Sequence, residues 1–496
     1  MASKDFNKPN VLFIMSDDQG AWAMGCVGND EVKTPNLDRL AATGINFSNF
    51  FCASPVCSAA RASVLTGRIP SQHGVHDWIK SGSVGIDELP EHMRNDKYYE
   101  FENTPIEYLE GMGAYTDILS DNDYLCGLSG KWHLGNSTKP QKGFSYWKAL
   151  LRGGCQYYNG DVVEDGKIFY HKGYITDYIT DNALEFLDNT ARDNNPFYLS
   201  VHYTAPHSPW DRKNHPKEFF DMYEDCQCKS CPDEPIHPQQ IKSCPIGDSP
   251  QQRKENIKGY YAAITAMDTN IGRIIDKIEQ MGLRENTLIV FTSDNGMNLG
   301  HHGIWGKGNG TFPQNLFDTS VKVPFIVSRL GFVPEGKVCE ELLSHYDFMP
   351  TLLEYLNMDN PDKTTLPGKS FSKILEGKDI KCRDNIVVFD EYGPVRMIRS
   401  KEYKYIHRYP YGPHEFYDLI NDPSEKNNLI SDQLYKESIE EMRAKMQDWF
   451  TCYADPQIDG AKEPVTGAGQ IGRGGSNSKG KESYDSNIQY FESGEL

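Results

Sequence analysis

Two segments far apart in the chain share one form, a run of apolar residues that ends in Ser-Asp followed by Asp or Asn. They are VLFIMSDD at residues 11–18 and LIVFTSDN at residues 288–295. Apolar residues that follow one another without alternation indicate strands buried on both faces, as in a parallel sheet covered by helices. The pair therefore predicts two inner strands of one sheet, each with carboxylate or amide side chains at its exit.

Further buried strands are predicted at residues 197–202 and 324–328. Helical patterns lie between the strands, at residues 34–40, 176–191 and 256–281. The first of these helices has Thr34 as its N-cap, Pro35 in its first turn and Gly44 as its stop. Strands that alternate with helices predict an α/β fold, with a large, mostly parallel but mixed central sheet flanked by helices.

The pattern changes near residue 380, where short alternating strands and quick turns replace the buried runs. We expect an α/β domain over residues 1–378 and a smaller subdomain over 379–454, built from an antiparallel sheet and a helix at about 431–452. The remainder, 455–496, is a Gly/Ser-rich tail, and its stretch 474–482 is predicted to be mobile.

Apolar residues in this tail indicate that part of it folds back over the mouth of the functional pocket. Val465 and Ile471 stand among small residues, and Ile488, Tyr490 and Phe491 lie near the end of the chain. A solvated tail has no need of such residues. A terminal segment of this kind is also a plausible contact in a homodimer, by exchange between subunits.

Composition and charge exclude several classes of protein. The chain has 496 residues, 38% of them hydrophobic, and a net charge of −19 without a dense Lys/Arg run, which argues against nucleic-acid binding. No segment approaches the roughly 18 consecutive apolar residues of a membrane helix. The start, MASKDFNKPN, lacks the apolar core of a signal peptide, so the sequence as it stands predicts a cytoplasmic protein, or an exported one whose signal was removed.

The two strand exits carry four oxygen-bearing side chains: Asp17, Asp18, Asp294 and Asn295. Ligands of open parallel sheets bind beyond the carboxyl ends of the strands, so these side chains are expected to meet there. Neighbouring carboxylates repel one another unless a cation joins them, and oxygen ligands suit Ca²⁺ or Mg²⁺. The alternative is that each pair caps its own turn separately, since Asp and Asn favour strand exits.

Cationic and imidazole side chains occur in loops that follow predicted strands or contain Gly and Pro. Lys131 and His133, in LSGKWHLG, are two residues apart and would share one face of an extended segment. His207 lies in HYTAPHSPW, Lys307 in WGKGNG, and Arg61 in a predicted helix. Together they suit a tetrahedral dianion. Taken singly, each is also typical of a solvated lysine or an ordinary loop histidine.

One cysteine, Cys57 in SPVCSAAR, stands at a predicted helix start, four residues before Arg61 on the same helical face. A buried cysteine often serves only as a small packing residue. The alternative interpretation is that this thiol provides a nucleophile.

These residues together resemble the type I sulfatases of the alkaline-phosphatase superfamily. The segment 57–61, CSAAR, fits the family motif Cys-x-[Pro/Ala]-x-Arg, with the Ala59 variant, and LTGR follows as in the family. GKWHLG, PHSP, SDNG and GKG then come in the family's order. The likeness covers most of residues 8–430, so the fold and chemistry of that family are the expectation for the domain at 1–378.

The resemblance implies that a formylglycine-generating or anaerobic maturing enzyme oxidises Cys57 to formylglycine. One hydroxyl of the hydrated aldehyde attacks sulfur, and the other later expels sulfate as the aldehyde re-forms. Asp17, Asp18, Asp294 and Asn295 are then the ligands of Ca²⁺, favoured over Mg²⁺, with residue 57 facing the metal. Lys131 and Lys307 neutralise sulfate, His133 is the base for its release, His207 is the acid for the leaving alcohol, and Arg61 points at residue 57.

A sulfated small molecule or saccharide is the expected substrate, with a carbohydrate favoured. Candidate substrate contacts are the polar and aromatic residues His76, Asp77, Trp78, Arg152, Gln470 and Arg473. A phosphonate monoester hydrolase or phosphodiesterase with the same nucleophile is the alternative enzyme. A catalytically inactive binding protein on the same scaffold is disfavoured, because every expected chemical position is filled.

Four clustered cysteines fall outside the family pattern: Cys226, Cys228, Cys231 and Cys244. Their spacing suggests a structural Zn²⁺ site, with His237 as a spare ligand. The alternative is a polar lid loop with two disulfides or free thiols.

Overall fold

The computed structural model describes residues 8–190, 195–383 and 388–484. The centre of the molecule is a mixed sheet. Ten strands form it. They are β1 (Asn10–Ser16), β2 (Ile45–Phe47), β3 (Leu125–Lys131), β4 (Tyr146–Leu150), β5 (Gly160–Glu164), β6 (Lys167–His171), β7 (Phe197–His202), β8 (Thr287–Ser293), β9 (Phe325–Ser328) and β10 (Lys337–Cys339).

The strand order is β10-β2-β9-β8-β1-β7-β3-β4-β5-β6, and the five strands from β8 to β4 run parallel. The predicted inner strands β1 and β8 are direct neighbours. Side chains of β1 alternate between two cores, with Phe13 and Met15 on one face and Leu12 and Ile14 on the other. Burial on both faces explains why this strand shows no polar alternation.

Helices cover both faces of the sheet. They are α1 (Pro35–Ala42), α2 (Cys57–Thr66), α3 (Pro70–His73), α4 (Tyr115–Asp121), α5 (Ile175–Thr190), α6 (Lys217–Asp221), α7 (Pro250–Gln280), α8 (Asp318–Val321), α9 (Phe348–Tyr355), α10 (Ser372–Leu375) and α11 (Lys436–Tyr453). α1, α5 and α7 pack on the face of Leu12, whereas α2, α4 and α9 pack on the face of Phe13. In the described residues, no helix is both long and apolar enough to span a bilayer.

A second, four-stranded antiparallel sheet follows, and α11 packs against it. Its strands are β11 (Val388–Tyr392), β12 (Val395–Arg399), β13 (Tyr403–Arg408) and β14 (Glu415–Asp418). The predicted α/β fold with a C-terminal antiparallel subdomain is therefore confirmed. α11 begins at Lys436, later than predicted, because Gln433–Tyr435 form a 3₁₀ turn capped by the Asp432 side chain.

The described part of the tail packs against the same chain. Gln470 pairs with Ile79 and with Tyr484 as isolated β-bridges, and Asp459 forms an ion pair with Arg396. A 3₁₀ turn at Gly475–Ser478 lies within the stretch predicted to be mobile. The apolar residues Ile488, Tyr490 and Phe491 lie outside the described residues.

Candidate active site

The two Ser-Asp strand exits meet because β1 and β8 pair in parallel, with Ser16 opposite Ser293. Asp17, Asp18 and Asp294 offer ligand atoms that all lie within 4.8 Å of one another, and all three residues are buried. The carboxylates therefore converge on one point, rather than capping separate turns.

Hydrogen bonds tie the two exits together. The Asp294 Oδ1 atom accepts from the backbone amides of Asp18, at 3.1 Å, and Asn295, at 2.8 Å. In return, the Asn295 Nδ2 atom donates to Asp18 Oδ1 at 2.8 Å. Asp18 itself has a φ of 65°, in the left-handed region that Asp tolerates better than most residues. This turn directs its carboxylate toward Asp294.

Three buried cations surround the carboxylates. The Lys131 Nζ atom lies 2.6 Å from Asp17 Oδ2, and the Arg61 Nη2 atom lies 2.8 Å from Asp294 Oδ2. The Lys307 Nζ atom lies 2.5 Å from Asp18 Oδ1. Burial opposes ionisation of Asp18, but Lys307 and then His207 outweigh it and hold the pKa of Asp18 below its ordinary value. The Asp18 carboxylate is therefore ionised at neutral pH.

The donor set fits an oxygen-coordinated cation. Within the described residues, the buried Asp17 Oδ1 and Asn295 Oδ1 atoms have no hydrogen-bond partner. A buried acceptor without a donor costs free energy unless another positive group satisfies it. These four side chains offer oxygen ligands and include no thiol or imidazole. Such a ligand set matches Ca²⁺ or Mg²⁺ rather than a softer metal.

Cys57 begins α2, after Val56 in extended backbone, and only 4% of it is exposed. Burial raises the pKa of its thiol, against the opposing effect of Lys131 and Lys307. The cysteine is therefore a neutral thiol, with little thiolate character, beside two ammonium groups at the N-terminal end of a helix.

His133 does not share a strand face with Lys131 as predicted, because β3 ends at Lys131 and His133 has a φ of 55°. The His133 Nε2 atom is 2.9 Å from the Ile79 carbonyl oxygen. Its Nδ1 atom is buried and without a partner in the described part of the chain. Burial, with Lys131 nearby, holds the pKa of His133 well below its usual range, so the ring is neutral.

His207 lies on the open side of the site, in a loop with cis peptide bonds before Pro206 and Pro209. Its Nδ1 atom is 2.8 Å from the Ser208 carbonyl oxygen, and its Nε2 atom is 3.7 Å from Asp18 Oδ2. About a quarter of the side chain, 28%, is exposed. Among the candidate catalytic residues, His207 is thus placed to meet an incoming molecule.

Three predicted substrate contacts are buried under the tail, and their contact with substrate stays a prediction. His76, Asp77 and Gln470 each have 0% exposure. The Asp77 carboxylate accepts from the amides of Gly467 and Gly469, both at 3.0 Å. In the structure these residues join the tail to the segment that follows α3.

The other three candidates retain some exposure and stay predictions. The Trp78 Nε1 atom donates to the Gly467 carbonyl oxygen at 3.0 Å. Arg152 forms an ion pair with Asp161 at 3.0 Å. Arg473 forms one with Glu110 at 2.7 Å.

The predicted zinc site does not form. The Cys226 and Cys228 Sγ atoms are 3.9 Å apart, but Cys231 Sγ lies 3.6 Å from the Tyr261 hydroxyl and Cys244 Sγ lies against the Pro245 carbonyl. In the described ranges, the aspartate cluster is the only group of three or more His, Cys, Asp or Glu ligands at metal-binding distance. Glu31 organises this loop instead, by accepting from the amides of residues 229 and 230.

Sequence reasoning missed the groups that hold His133. Ile79 acts through its backbone, which no side-chain pattern reveals. Gly153 packs so closely on the imidazole that a Cβ atom there would lie 2.0 Å from His133 Nε2. The glycine pair in LLRGG was the available signal, although the sequence does not say which ring it faces.

Comparison with known protein families gives two matches. The family model described as Sulfatase matches residues 9–358. The model described as N-sulphoglucosamine sulphohydrolase, C-terminal, matches residues 300–451. The first covers the central sheet and all the candidate catalytic residues, and the second covers the antiparallel sheet and α11.

Individual relatives match over most of the chain. An ulvan-active sulfatase of Formosa agariphila is 29% identical over 465 residues, covering 88% of this chain and 80% of the relative. An N-acetylglucosamine-6-O-sulfatase of Bacteroides thetaiotaomicron is 27% identical, covering 93% and 89%. A solved structure described as a complex with its substrate D-glucosamine-2-N,6-O-disulfate has a TM-score of 0.75 at 24% identity, covering 92% of this chain and 100% of that one.

Proposed function

Because this chain belongs to the sulfatase family and is a sulfuric ester hydrolase, we propose that it removes sulfate from a carbohydrate at the site around residue 57. The observation that carries the proposal is the meeting of Arg61, Lys131 and Lys307 with the aspartate cluster beside Cys57. Such preorganised charge stabilises a sulfate group and the charge that develops on it during transfer.

A sulfated saccharide is supported as the substrate class by the relatives. One is named for the 6-O-sulfate of N-acetylglucosamine, another for the polysaccharide ulvan, and the similar solved structure holds a sulfated glucosamine. We propose a sulfated amino sugar or a fragment that contains one. His207 is the most exposed of the candidate catalytic residues, which suits contact with a leaving sugar alcohol.

For the metal we propose Ca²⁺ held by Asp17, Asp18, Asp294 and Asn295, with residue 57 facing it. The support is the convergence of the three carboxylates and the unpartnered oxygens of Asp17 and Asn295. When bound, the ion would lower the pKa of a nearby hydroxyl and orient sulfate oxygens. Mg²⁺ is the alternative ion with the same ligand chemistry.

We also propose that a maturing enzyme converts Cys57 to formylglycine, whose hydrate supplies one hydroxyl to attack sulfur and a second to release the product. The state of the thiol supports this. Burial keeps Cys57 protonated, and a neutral buried thiol is a poor nucleophile. The oxidised residue would meet the same two lysines.

The remaining residues take roles that follow from their positions. Lys131 and Lys307 bring two ammonium groups to sulfate, and Arg61, one helical turn after residue 57, orients that side chain. His133 is neutral and has a free Nδ1 atom, so it can accept a proton from residue 57. His207 donates a proton to the leaving alcohol oxygen.

Initial rates of sulfate release from a panel of sulfated monosaccharides test this proposal. The enzyme is coexpressed with a formylglycine-generating enzyme, and matched phosphonate esters are assayed beside the sulfates. We expect sulfate release to exceed phosphonate hydrolysis and to be highest with an amino sugar. Faster hydrolysis of the phosphonates would favour the alternative enzyme class.

A further inference from the structure

The segment at residues 77–80 touches both the nucleophile helix and the candidate base. The Ile79 amide donates to the Ser58 hydroxyl at 2.9 Å, next to residue 57 in α2. The Ile79 carbonyl oxygen lies 2.9 Å from His133 Nε2. One peptide segment therefore fixes the distance between α2 and His133.

The Ile79 contact also determines where His133 carries its proton. A carbonyl oxygen only accepts hydrogen bonds, so a neutral His133 must hold its hydrogen on Nε2. Its Nδ1 atom then carries the lone pair, and this is the buried atom that has no partner among the described residues. Loss of the Ile79 contact would remove this preference and let the ring turn.

Gln470, nearly 400 residues later in the chain, holds Ile79 in place. Its amide donates to the Trp78 carbonyl oxygen at 2.8 Å, and its carbonyl oxygen accepts from the Lys80 amide at 2.9 Å. These two bonds bracket Ile79 in a parallel bridge.

The side chain of Gln470 is fully engaged as well. Its Oε1 atom accepts from the amides of His76, at 2.9 Å, and Asp77, at 3.4 Å. Its Nε2 atom donates to the carbonyl oxygens of Gly74, at 2.9 Å, and Gly472, at 2.8 Å. The residue is completely buried. Removing these bonds would leave buried backbone groups unsatisfied in the segment before Ile79, at Gly74 and His76, and in the tail, at Gly472.

The tail also contacts the loop that carries Lys307. Asp77 binds the amides of Gly467 and Gly469, and the Gly467 carbonyl oxygen accepts from Asn309 Nδ2 at 3.3 Å. The tail thus connects the segment of Ile79 with the loop that carries Lys307.

We propose that Gln470 is a positioning residue that acts through Ile79 on His133 and thereby sets the rate of sulfate release. The inference rests on the proposed function. In that step His133 Nδ1 takes the proton of the free hydroxyl on residue 57. The electron pair of that O–H bond forms the aldehyde C=O bond, the carbon–oxygen bond to sulfate breaks, and sulfate leaves with the electron pair.

Gln470→Met tests the proposal, because it keeps the side-chain volume and removes the four side-chain hydrogen bonds. Ser476→Ala, at an exposed tail position bonded to Gln457, is the matched control. If sulfate is transferred to residue 57 at the same rate but released from it more slowly, kcat and KM fall together and kcat/KM stays constant. We expect about a tenfold or larger fall in kcat, since proton transfer of this kind is worth roughly 10²–10⁴-fold.

A second measurement is independent of turnover. Long-range ¹H–¹⁵N spectra of histidine-labelled protein, with Cys57 unmodified, report the tautomer of His133 after assignment with His133→Gln. We expect the Nε2–H form in the parent and in Ser476→Ala, and a mixture in Gln470→Met. Should the methionine variant fail to fold, Gln470→Glu keeps the acceptor for the His76 amide and is expected to give an intermediate shift.

The proposal is overturned if Gln470→Met keeps the tautomer of the parent, or if kcat/KM falls as much as kcat. The first result would mean that Ile79 does not depend on Gln470, and the second that the tail only supports the fold. If the parent has no sulfatase activity but Gln470→Met still shows the expected change of tautomer, the proposed function is refuted and the positioning contact stands.

Discussion

Gly153 lies against the His133 imidazole so closely that a methyl group on Gly153 would overlap the ring, with Cβ 2.0 Å from Nε2. This edge of the ring also meets the Ile79 carbonyl oxygen. The imidazole is thus enclosed by backbone on its Nε2 side, whereas its Nδ1 atom has no hydrogen-bond partner among the described residues. Its orientation depends on Gly153 having no side chain.

Gly153→Ala should therefore displace His133 and lower kcat by about tenfold or more, because a misplaced base transfers protons poorly. Gly154→Ala is the matched control, since a Cβ atom there meets nothing within 4 Å. Steady-state kinetics and a thermal melt of both variants provide the comparison. Equal kcat values for the two alanine variants would show that the imidazole does not need this space.

His207→Ala should slow hydrolysis of sulfated sugars by about 10²–10⁴-fold and affect activated aryl sulfates far less. The reason is that an acid helps most when the leaving oxygen is strongly basic. Values of kcat/KM on the two substrate types, measured with the same enzyme preparation, give the ratio. A similar loss on both substrates would remove His207 from the role of acid.

Asn295→Ala should weaken Ca²⁺ binding by about tenfold or more, through loss of the unpartnered Oδ1 atom as a ligand. Titration calorimetry on protein treated with EGTA measures the affinity, and Asn95→Ala, the same substitution at an exposed position, is the matched control. Unchanged affinity in Asn295→Ala would place the ion elsewhere.

Asp77 should make stability fall as pH rises. Burial raises its pKa from 3.8 to about 6, although Tyr392 and three amides bind the carboxylate. The folded state thus holds the proton more tightly than the unfolded state, so the contribution is complete below pH 4 and is lost as pH approaches 6. The full loss is about 3 kcal/mol, at 1.36 kcal/mol per pKa unit.

Urea unfolding of the parent and of Asp77→Asn between pH 4 and 7 isolates this effect, because asparagine does not titrate. The difference in unfolding free energy between the two proteins should change over this range, whatever its value at pH 4. The neighbouring phenol of Tyr484 stays protonated there, because burial raises its pKa well above the ordinary value. A constant difference would contradict a raised pKa for Asp77.

Features that depend on residues close together in the chain, such as strands and short motifs, could be predicted from the sequence. The apolar runs of β1 and β8 predicted buried inner strands of one sheet, and their shared ending predicted that Asp17 and Asp294 would meet. Motifs at a strand exit and in a Gly-rich loop predicted Lys131 and Lys307, and the helix that starts at Cys57 predicted Arg61.

The errors concern contacts between distant segments. The sequence does not reveal that the Asp77 carboxylate binds amides 390 and 392 positions later in the chain. Cys231 was assigned to zinc, whereas its thiol meets Tyr261 of α7. The left-handed backbone of His133 was missed because a non-glycine residue with positive φ is held by its tertiary surroundings.

The number of sulfate ions released per molecule of Cys57→Ser tests the central claim most directly. Serine offers one hydroxyl, so sulfate can be transferred to it, but no second hydroxyl expels the product. We predict many sulfate ions per molecule for the matured parent. For Cys57→Ser we predict at most about one molecule of desulfated alcohol and no free sulfate, because the sulfate stays on the serine. Sustained turnover by Cys57→Ser at the rate of the parent would contradict catalysis through an oxidised residue 57.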